Sequence, residues 1–228
     1  MNRIRFEDDM DPYLAPARFI DSDNEAVIDF ARQAVTGIGD PRARVIRLFE
    51  TVRDQIAYDP YVDILDETNF RASSVLKARR GFCVGKAALL AACARVIGIP
   101  AGVAYADVRN HMTTPRLYQL MQTDIFVWHS YTDICLDGVW LKATPTFDRA
   151  VCERLGLKPL EFDGRSDSLL HPYDRGGRRH MEYLRFRGTF PDVPFETISR
   201  ALVTEYPNLA AQHGIKGDFR REAVVPDG

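Results

Sequence analysis

The sequence contains few cysteines and none of the patterns that give cysteine a structural purpose. Four occur among 228 residues, Cys83, Cys93, Cys135 and Cys152, and they form neither a CxxC pair nor a tight cluster with histidine. A chain of this length buries enough apolar surface to fold without disulfides. The spacing also argues against a structural zinc site. We therefore expect free thiols in a reducing cytoplasm, with no metal or organic cofactor.

The sequence also lacks an excess of charge of one sign and any long apolar run. Its 30 Lys+Arg and 32 Asp+Glu nearly cancel, which argues against a nucleic-acid partner. No apolar run approaches the roughly 20 residues that span a bilayer, and the first ten residues are too charged for a secretory signal. We expect a cytoplasmic protein without nucleic-acid or membrane partners.

Helical patterns come first along the chain and strand patterns follow. Ser22 and Glu25 have the spacing of a capping box, and Asp40-Pro41 is typical of a helix start. The predicted helices cover residues 25–35, 41–59, 74–80, 83–97 and 195–205. The predicted strands cover residues 101–108, 125–136, 139–144, 160–162 and 181–186. This order predicts an α+β fold with N-terminal helices and an antiparallel sheet.

One domain accounts for most of the chain. Residues 1–212 are expected to form it, with residues 1–20 as an irregular N-terminal arm that contains Pro12 and Pro16. The polar residues 213–228 are expected to form a mobile C-terminal tail.

Cys83 is the cysteine best placed for chemistry. It follows Gly81-Phe82 and begins a helix whose other residues, among them many alanines, are apolar on nearly all sides. The free N–H groups and the dipole at a helix start favour negative charge, so this position is expected to lower the thiol pKa. The same N–H groups can stabilise an oxyanion. The alternative is that Cys83 is a small core residue, the interpretation that we also give to Cys93.

His129 is the candidate base for that thiol. It lies in the strand pattern of residues 125–136, where alternation places Ile125, Val127, His129 and Tyr131 on one face. A single histidine in such a strand is more often a partly buried structural residue. The other four histidines occur in predicted loops or in the tail.

The hairpin that follows offers an acid. If Asp137-Gly138 is a two-residue turn, Leu136 pairs with Val139 and His129 falls opposite Thr146. Thr144 and Asp148 are then its diagonal neighbours, and only Asp148 carries a carboxylate. Asp148 is therefore the candidate for orienting the imidazole, with a solvated acid at a strand end as the alternative.

These residues resemble the bacterial transglutaminase-like superfamily. The similar segments are TNF at 68–70, GFCVGKA at 81–87, RVIGIPA at 95–101, WHSY at 128–131 and LDGVW at 136–140. The resemblance covers about residues 45–148. It implies a papain-like core in which a buried helix bearing the cysteine packs on an antiparallel sheet bearing the histidine and the acid.

The same resemblance implies a triad that attacks carboxamides or peptide bonds through a thioester. Carried over to this sequence, Cys83 is the nucleophile and His129 is the general base and acid. The family's acid usually lies about four residues after the hairpin tryptophan, where this chain has Thr144. Asp148 is the nearest carboxylate that can replace it.

Two functions follow from this pattern. The first is thiol-dependent acyl transfer, by hydrolysis or transamidation, on a peptide, a protein or a small amide. The alternative is a binding module that keeps the fold while Cys83 is inert, which Thr144 in the acid position favours. An arginine-rich loop at 175–179 is either a solvated loop or a contact for an anionic group of the substrate.

Overall fold

The computed structural model describes residues 10–212 and 215–223. The helices of these residues are α1 (Asp11–Leu14), α2 (Glu25–Ala34), α3 (Pro41–Gln55), α4 (Ala72–Ala78), α5 (Cys83–Val96), α6 (Pro115–Met121), α7 (Arg149–Arg154), α8 (Phe195–Glu205), α9 (Pro207–Ala210) and α10 (Phe219–Glu222). The strands are β1 (Ala57–Tyr58), β2 (Arg80–Gly81), β3 (Ala101–Asn110), β4 (Ile125–Leu136), β5 (Val139–Ala143) and β6 (Met181–Phe190). A 3₁₀ turn at Glu67–Phe70 precedes α4.

The main sheet has four antiparallel strands in the order β5-β4-β3-β6. Helix α5 packs against β3 and β4, and helices α2, α3 and α4 lie against α5. The Thr132 hydroxyl of β4 donates to the Ala87 carbonyl at 2.9 Å, which fixes the helix to the strand. The expected α+β fold, with a buried cysteine-bearing helix on an antiparallel sheet, is confirmed.

Helix starts follow the local signals closely. The Asp40 side chain accepts from Ala43 N at 2.8 Å with Pro41 as the first helical residue, as predicted. The cap of α2 is Asn24 and not Ser22, because the Asn24 side chain accepts from Ala26 N. Helix α3 ends at Gln55, five residues before the proline expected to stop it, because the chain there turns into the short ladder of β1 with β2.

The strand expected at residues 160–162 is absent from the described residues, and that prediction was wrong. Leu160 and Phe162 are buried without a ladder partner. Phe162 packs on Phe49 with ring centroids 5.7 Å apart, and the buried Arg53 guanidinium donates to the Leu160 carbonyl. The apolar pattern therefore reflects burial against α3 and not strand pairing.

The C-terminal segment 215–223 lies against the body of the protein. Phe219 packs edge-on against Tyr58 and Tyr61, at centroid distances of 5.3 and 5.8 Å. Residues 213–214 and 224–228 of the predicted tail, and residues 1–9 of the predicted arm, lie outside the described residues. The division of the chain at residue 212 stays a prediction.

Gly85 allows α5 to approach the 3₁₀ turn closely. A Cβ atom at this position would stand 2.5 Å from the Asn69 carbonyl oxygen and 2.6 Å from Val75 Cγ2. The contact with the Asn69 carbonyl cannot be relieved without moving the backbone, and the Val75 side chain must also shift, so Gly85→Ala is expected to lower the free energy of unfolding by about 2–3 kcal/mol. Urea denaturation measures this, with Gly39→Ala as the control because its added Cβ meets nothing within 4 Å. Equal stability of the two variants would contradict the close approach.

Candidate active site

Cys83 is the first residue of α5 and is partly exposed. Phe82 precedes it in extended conformation and offers no side-chain cap, so the first N–H groups of the helix stay available. Backbone N–H groups of Ser130, Val84 and Cys83 itself face the sulfur. Because Ser130 follows His129, the sulfur lies directly against the histidine-bearing strand.

The expectation of a lowered Cys83 pKa is wrong. Burial raises the pKa of this thiol to about 11, and the backbone N–H groups of Ser130 and Val84 offset only part of that rise. Burial penalises the thiolate more than the helix start stabilises it. Cys83 is therefore a neutral thiol at neutral pH.

A β-bulge in β4 sets the direction of His129. Ala106 pairs with His129 and Val108 pairs with Phe126, so Val127 and Trp128 together oppose one residue of β3. Trp128 has a positive φ of 57°, which is unusual for a bulky residue. The bulge lies directly before His129 and therefore determines the face of β4 on which its imidazole lies.

Two side chains satisfy the N–H groups that the bulge removes from the ladder. Asp107 Oδ1 accepts from Trp128 N at 3.1 Å, and the Tyr206 hydroxyl accepts from Val127 N at 2.6 Å. Arg187 forms a two-pronged ion pair with Asp107 at 2.6 and 2.8 Å and also lies over the Trp128 ring at 4.7 Å. Our sequence analysis missed these residues, because a bulge leaves no signal in strand periodicity.

His129 is buried and neutral. Burial and, to a smaller extent, the nearby His180 together lower its pKa to about 4. Its Nε2 atom is buried and has no hydrogen-bond partner among the described residues. The Tyr183 ring lies edge-on to the imidazole, with centroids 6.3 Å apart. A neutral imidazole with an unpaired nitrogen can accept a proton.

The structure does not bring Asp148 to His129. Asp148 is the N-cap of α7, where its Oδ1 accepts from Val151 N at 3.1 Å. Its Oδ2 accepts from Tyr58 N at 2.8 Å and pairs with Arg220 at 3.2 Å. These three partners occupy the buried carboxylate, so its geometry is that of a structural cap.

The end of the hairpin ladder explains that placement. The predicted register of Leu136 with Val139 is confirmed, but the ladder stops at Thr132 with Ala143. Thr144 then turns away and its N–H donates to the Ser168 carbonyl at 3.0 Å. Within residues 10–212 and 215–223, no carboxylate forms a hydrogen bond with His129, and the Thr144 hydroxyl is buried without a partner.

Cys83 and His129 line the same cavity, of about 80 Å³. Its lining includes Tyr58, residues from β3 and β4, and residues from α6, α8 and α9. Thr146 also lines it, with a buried hydroxyl that lacks a partner among the described residues. The arrangement places a thiol, a neutral imidazole and a hydroxyl at one small apolar cavity.

The remaining candidates lie away from this cavity. Cys93 is fully buried, as expected for a core residue, and Cys135 and Cys152 are also buried. The loop 174–179 forms an exposed turn in which the Asp174 carboxylate accepts from Gly176 N and Arg178 N. The arginines of this loop do not line the cavity.

The described residues contain neither a cluster of metal-ligating side chains nor a membrane-spanning helix. No group of three or more His, Cys, Asp or Glu side chains there is arranged to hold a metal ion. No helix in the same part of the chain has the length and apolarity needed to cross a membrane.

Comparisons with solved structures gave matches of low identity. A candidate cysteine protease from Cytophaga hutchinsonii is 16% identical with a TM-score of 0.48, and the alignment covers 81% of this chain and 55% of that one. A candidate protease from Parabacteroides distasonis is 17% identical with a TM-score of 0.40, over 59% of this chain and 25% of that one. A structure described as a TGase is 19% identical with a TM-score of 0.40, over 58% of this chain and 34% of that one. The chain thus spans between a quarter and about half of the length of these structures.

Family membership rests on a different comparison. No curated protein matches the sequence. The model of the transglutaminase-like superfamily matches residues 28–145, which is more than half of the chain and includes Cys83, His129 and Thr144 but not Asp148. The match runs from the helical layer through the hairpin, over the elements that carry the thiol and the imidazole. The chain therefore belongs to the transglutaminase-like superfamily.

Proposed function

We propose that the protein is a thiol enzyme of acyl transfer that acts on an amide bond of a peptide, a protein or a small molecule. One observation carries the proposal: the Cys83 thiol and the neutral imidazole of His129, whose Nε2 has no hydrogen-bond partner among the described residues, line a single cavity. The sulfur is the nucleophile and the imidazole is the proton carrier.

The electrostatics favour general-base catalysis over a preformed ion pair. Since the Cys83 pKa is raised and the His129 pKa is lowered, the resting pair is a neutral thiol and a neutral imidazole. His129 takes the thiol proton while the sulfur attacks the carbonyl carbon. The oxyanion then meets backbone N–H groups that include that of Cys83.

The second half of the reaction returns the enzyme to its resting state. The C–N bond breaks and His129 gives its proton to the leaving amine, which leaves an acyl group on Cys83 as a thioester. Water or another amine attacks the thioester carbonyl and the thiol is regenerated. Hydrolysis is the default outcome because water needs no second binding site.

Acylation of Cys83 by an acetyl thioester of N-acetylcysteamine tests this proposal. Intact-protein mass spectrometry is expected to show one acetyl group, peptide mapping is expected to place it on Cys83, and Cys83→Ala is expected to remove it. Cys93, Cys135 and Cys152 are internal controls because all three are buried. Release of more than one equivalent of thiol per chain measures turnover.

A catalytically inert binding module is the second candidate function. Two observations favour it: His129 has no carboxylate partner within the described residues, and burial raises the Cys83 pKa. An inert module predicts that Cys83 in the folded chain is acylated no faster than cysteine in the chain unfolded by urea. Faster acylation of the folded chain excludes it.

Asp107 is expected to affect the rate of Cys83 acylation because it stabilises the bulge that precedes His129. In Asp107→Ala the N–H of Trp128 loses its acceptor and Arg187 loses its counter-charge, so His129 shifts. We expect acylation of Cys83 to slow by about 10-fold or more, since small misplacements of catalytic groups are costly. Asp107→Asn keeps an acceptor for Trp128 N and is expected to recover much of the rate.

The control for this prediction is Asp124→Ala, which removes a carboxylate from an exposed ion pair with Arg109 at the same end of the sheet. It is expected to leave the rate within about twofold, as surface ion pairs contribute little. Equal rates for Asp107→Ala and the parent protein would show that the bulge does not depend on this carboxylate.

A further inference from the structure

The cavity beside Cys83 is uncharged as well as apolar. Among its described lining residues, none is Asp, Glu, Lys or Arg. Its lining includes five apolar side chains from three helices, all of them nearly fully buried: Leu117 and Met121 from α6, Ile198 and Leu202 from α8, and Leu209 from α9. A charged group entering this cavity would leave water without finding a counter-charge.

The cavity is small. Its volume of about 80 Å³ is roughly half of the ~150 Å³ that accommodates benzene in an apolar protein cavity. A short branched aliphatic group fits that space, whereas an aromatic ring requires the walls to move. Overfilling a packed wall is unfavourable, because the surrounding side chains must leave their rotamers.

The lining of the cavity also includes two side chains with unsatisfied polar atoms. His129 Nε2 and Thr146 Oγ1 are buried without hydrogen-bond partners among the described residues, on two side chains that line the cavity together with Cys83. Both side chains are more than nine-tenths buried. Buried polar groups of this kind normally have partners, so the site is suited to a ligand with one polar end and one apolar end.

This inference rests on the proposed function: we infer that the acyl group transferred to Cys83 is a short, uncharged aliphatic group of about three to five carbon atoms. This size follows from comparing the volume of the present cavity with that of a cavity that accommodates benzene. The carbonyl lies at the Cys83 end and the hydrocarbon occupies the cavity between α6 and α8. Charged acyl groups and aromatic acyl groups are excluded by desolvation and by size, respectively.

Acyl exchange with three N-acetylcysteamine thioesters tests the inference on the full chain. In each reaction the Cys83 sulfur forms a bond to the acyl carbon, the bond from that carbon to the N-acetylcysteamine sulfur breaks, and the proton of Cys83 passes to the released thiol. The acyl groups are isobutyryl, succinyl and benzoyl. Rates are read by intact-protein mass spectrometry and divided by the rates of the same thioesters with the urea-unfolded chain, which removes their intrinsic reactivity.

The expected result is a corrected rate for isobutyryl at least about 30-fold above those for succinyl and benzoyl, in line with the discrimination that apolar pockets achieve. Equal corrected rates for the three groups, all above those of the unfolded chain, would overturn the inference and leave the proposed function standing. Absence of acylation by all three would overturn the proposed function itself.

A cavity variant gives an independent measure of size selection. Leu202→Ala enlarges the cavity and is expected to raise the ratio of benzoyl to isobutyryl rates by about 10-fold, as the removed atoms make room for the ring. Leu160→Ala is the matched control, since Leu160 is equally buried but does not line the cavity. An unchanged ratio in Leu202→Ala, with the chain still folded, would contradict the placement of the acyl group.

Binding of amides to the Cys83→Ala variant tests the ligand preference of the cavity in the absence of acylation. Isobutyramide is expected to shift the NMR signals of His129 in a saturable way, and succinamate at the same concentration is not. Binding of both amides, or of neither, would overturn the assignment of the cavity to a short uncharged group whatever the acylation rates are.

Discussion

His129→Gln is expected to slow acylation of Cys83 by at least about 100-fold, the usual contribution of a positioned general base. Glutamine retains a polar side chain at this buried position but cannot take up the thiol proton. Because the Cys83 pKa is raised to about 11, almost no thiolate is present at neutral pH to react without the base. The rate of acyl thioester formation, followed by mass spectrometry, measures the loss.

The same variant is expected to keep its stability. His129 Nε2 has no hydrogen-bond partner within the described residues, so its removal leaves no other group unsatisfied. We expect the free energy of unfolding to change by no more than about 1 kcal/mol. His111→Gln is the control, since His111 pairs with Glu182 outside the cavity. Loss of the acylation rate together with unfolding of His129→Gln would not support a role for His129 as the base. An acylation rate equal to that of the parent protein would contradict that role.

Asp148→Asn is expected to lower the free energy of unfolding by about 2–4 kcal/mol, since the buried carboxylate is hydrogen-bonded and loses both its charge and its pairing with the partly exposed Arg220. The carboxylate accepts from Tyr58 N and Val151 N and pairs with Arg220. An amide keeps one acceptor oxygen, presents an NH₂ group to a donor and loses the pairing with the cation. Urea denaturation measures the loss.

The buried Lys86 adds to that loss. Its ammonium donates to the carbonyls of Arg53 at 2.9 Å and Ile56 at 2.6 Å, at the C-terminus of α3. Burial lowers the Lys86 pKa to about 7, and the nearby Asp148 charge raises it against that effect. Without the carboxylate the charged form of Lys86 is less favourable, which weakens its contacts with α3.

Asp137→Asn is the matched control for Asp148→Asn. The Asp137 side chain is 79% exposed and pairs with Arg42, so we expect a change of about 0.5 kcal/mol or less. Equal losses in the two variants would show that Asp148 is not a buried structural acid.

The acylation rate of Asp148→Asn separates the two roles considered for this residue. An acid that orients a catalytic histidine changes the rate by up to about 10⁴-fold when it becomes an amide. Since the structure gives Asp148 other partners, we expect the folded variant to acylate Cys83 within about threefold of the parent rate. A large loss of rate with little loss of stability would restore Asp148 as the orienting acid.

The main helices α2, α3, α5 and α8 and the four strands of the main sheet were predictable because their signals are local. The Asp40-Pro41 start, the apolar helix from Cys83 and the Asp137-Gly138 turn each depend on a few neighbouring residues. These signals predicted an α+β fold with an antiparallel sheet, and the family resemblance implied that the cysteine-bearing helix packs on the histidine-bearing sheet. The cap of α2 shows the limit, since Asn24 and Ser22 are both good caps and only the fold selects between them.

The face of His129 was only partly predictable. Strict alternation placed Ile125 on its face, but Ile125 pairs with Arg109, whereas His129 pairs with Ala106. The bulge at Trp128 adds one residue to β4. The residues that precede the bulge therefore lie on the faces opposite to those that strict alternation from His129 predicts. Its supports, Asp107 and Tyr206, are distant in sequence, so the pattern of β4 alone could not reveal them.

The placement of Asp148 and the pKa of the Cys83 thiol both depend on tertiary structure. The ladder arithmetic was correct as far as Ala143, and Asp148 then became the cap of a helix that the sequence had not indicated. The helix start at Cys83 was predicted, but the degree of burial that raises its pKa depends on β4, α8 and α9. Desolvation is a property of the assembled site, and for this reason it outweighed the local effect of the helix.

The pH profile of Cys83 acylation tests the central claim most directly. A neutral imidazole acting on a neutral thiol predicts a rate that is flat from about pH 5.5 to 9, because the His129 pKa is lowered to about 4 and the Cys83 pKa is raised to about 11. In His129→Gln only the thiolate reacts, so the rate is expected to rise about tenfold per pH unit over the same range. A parent enzyme whose rate also rises tenfold per unit, parallel to His129→Gln, would contradict the account.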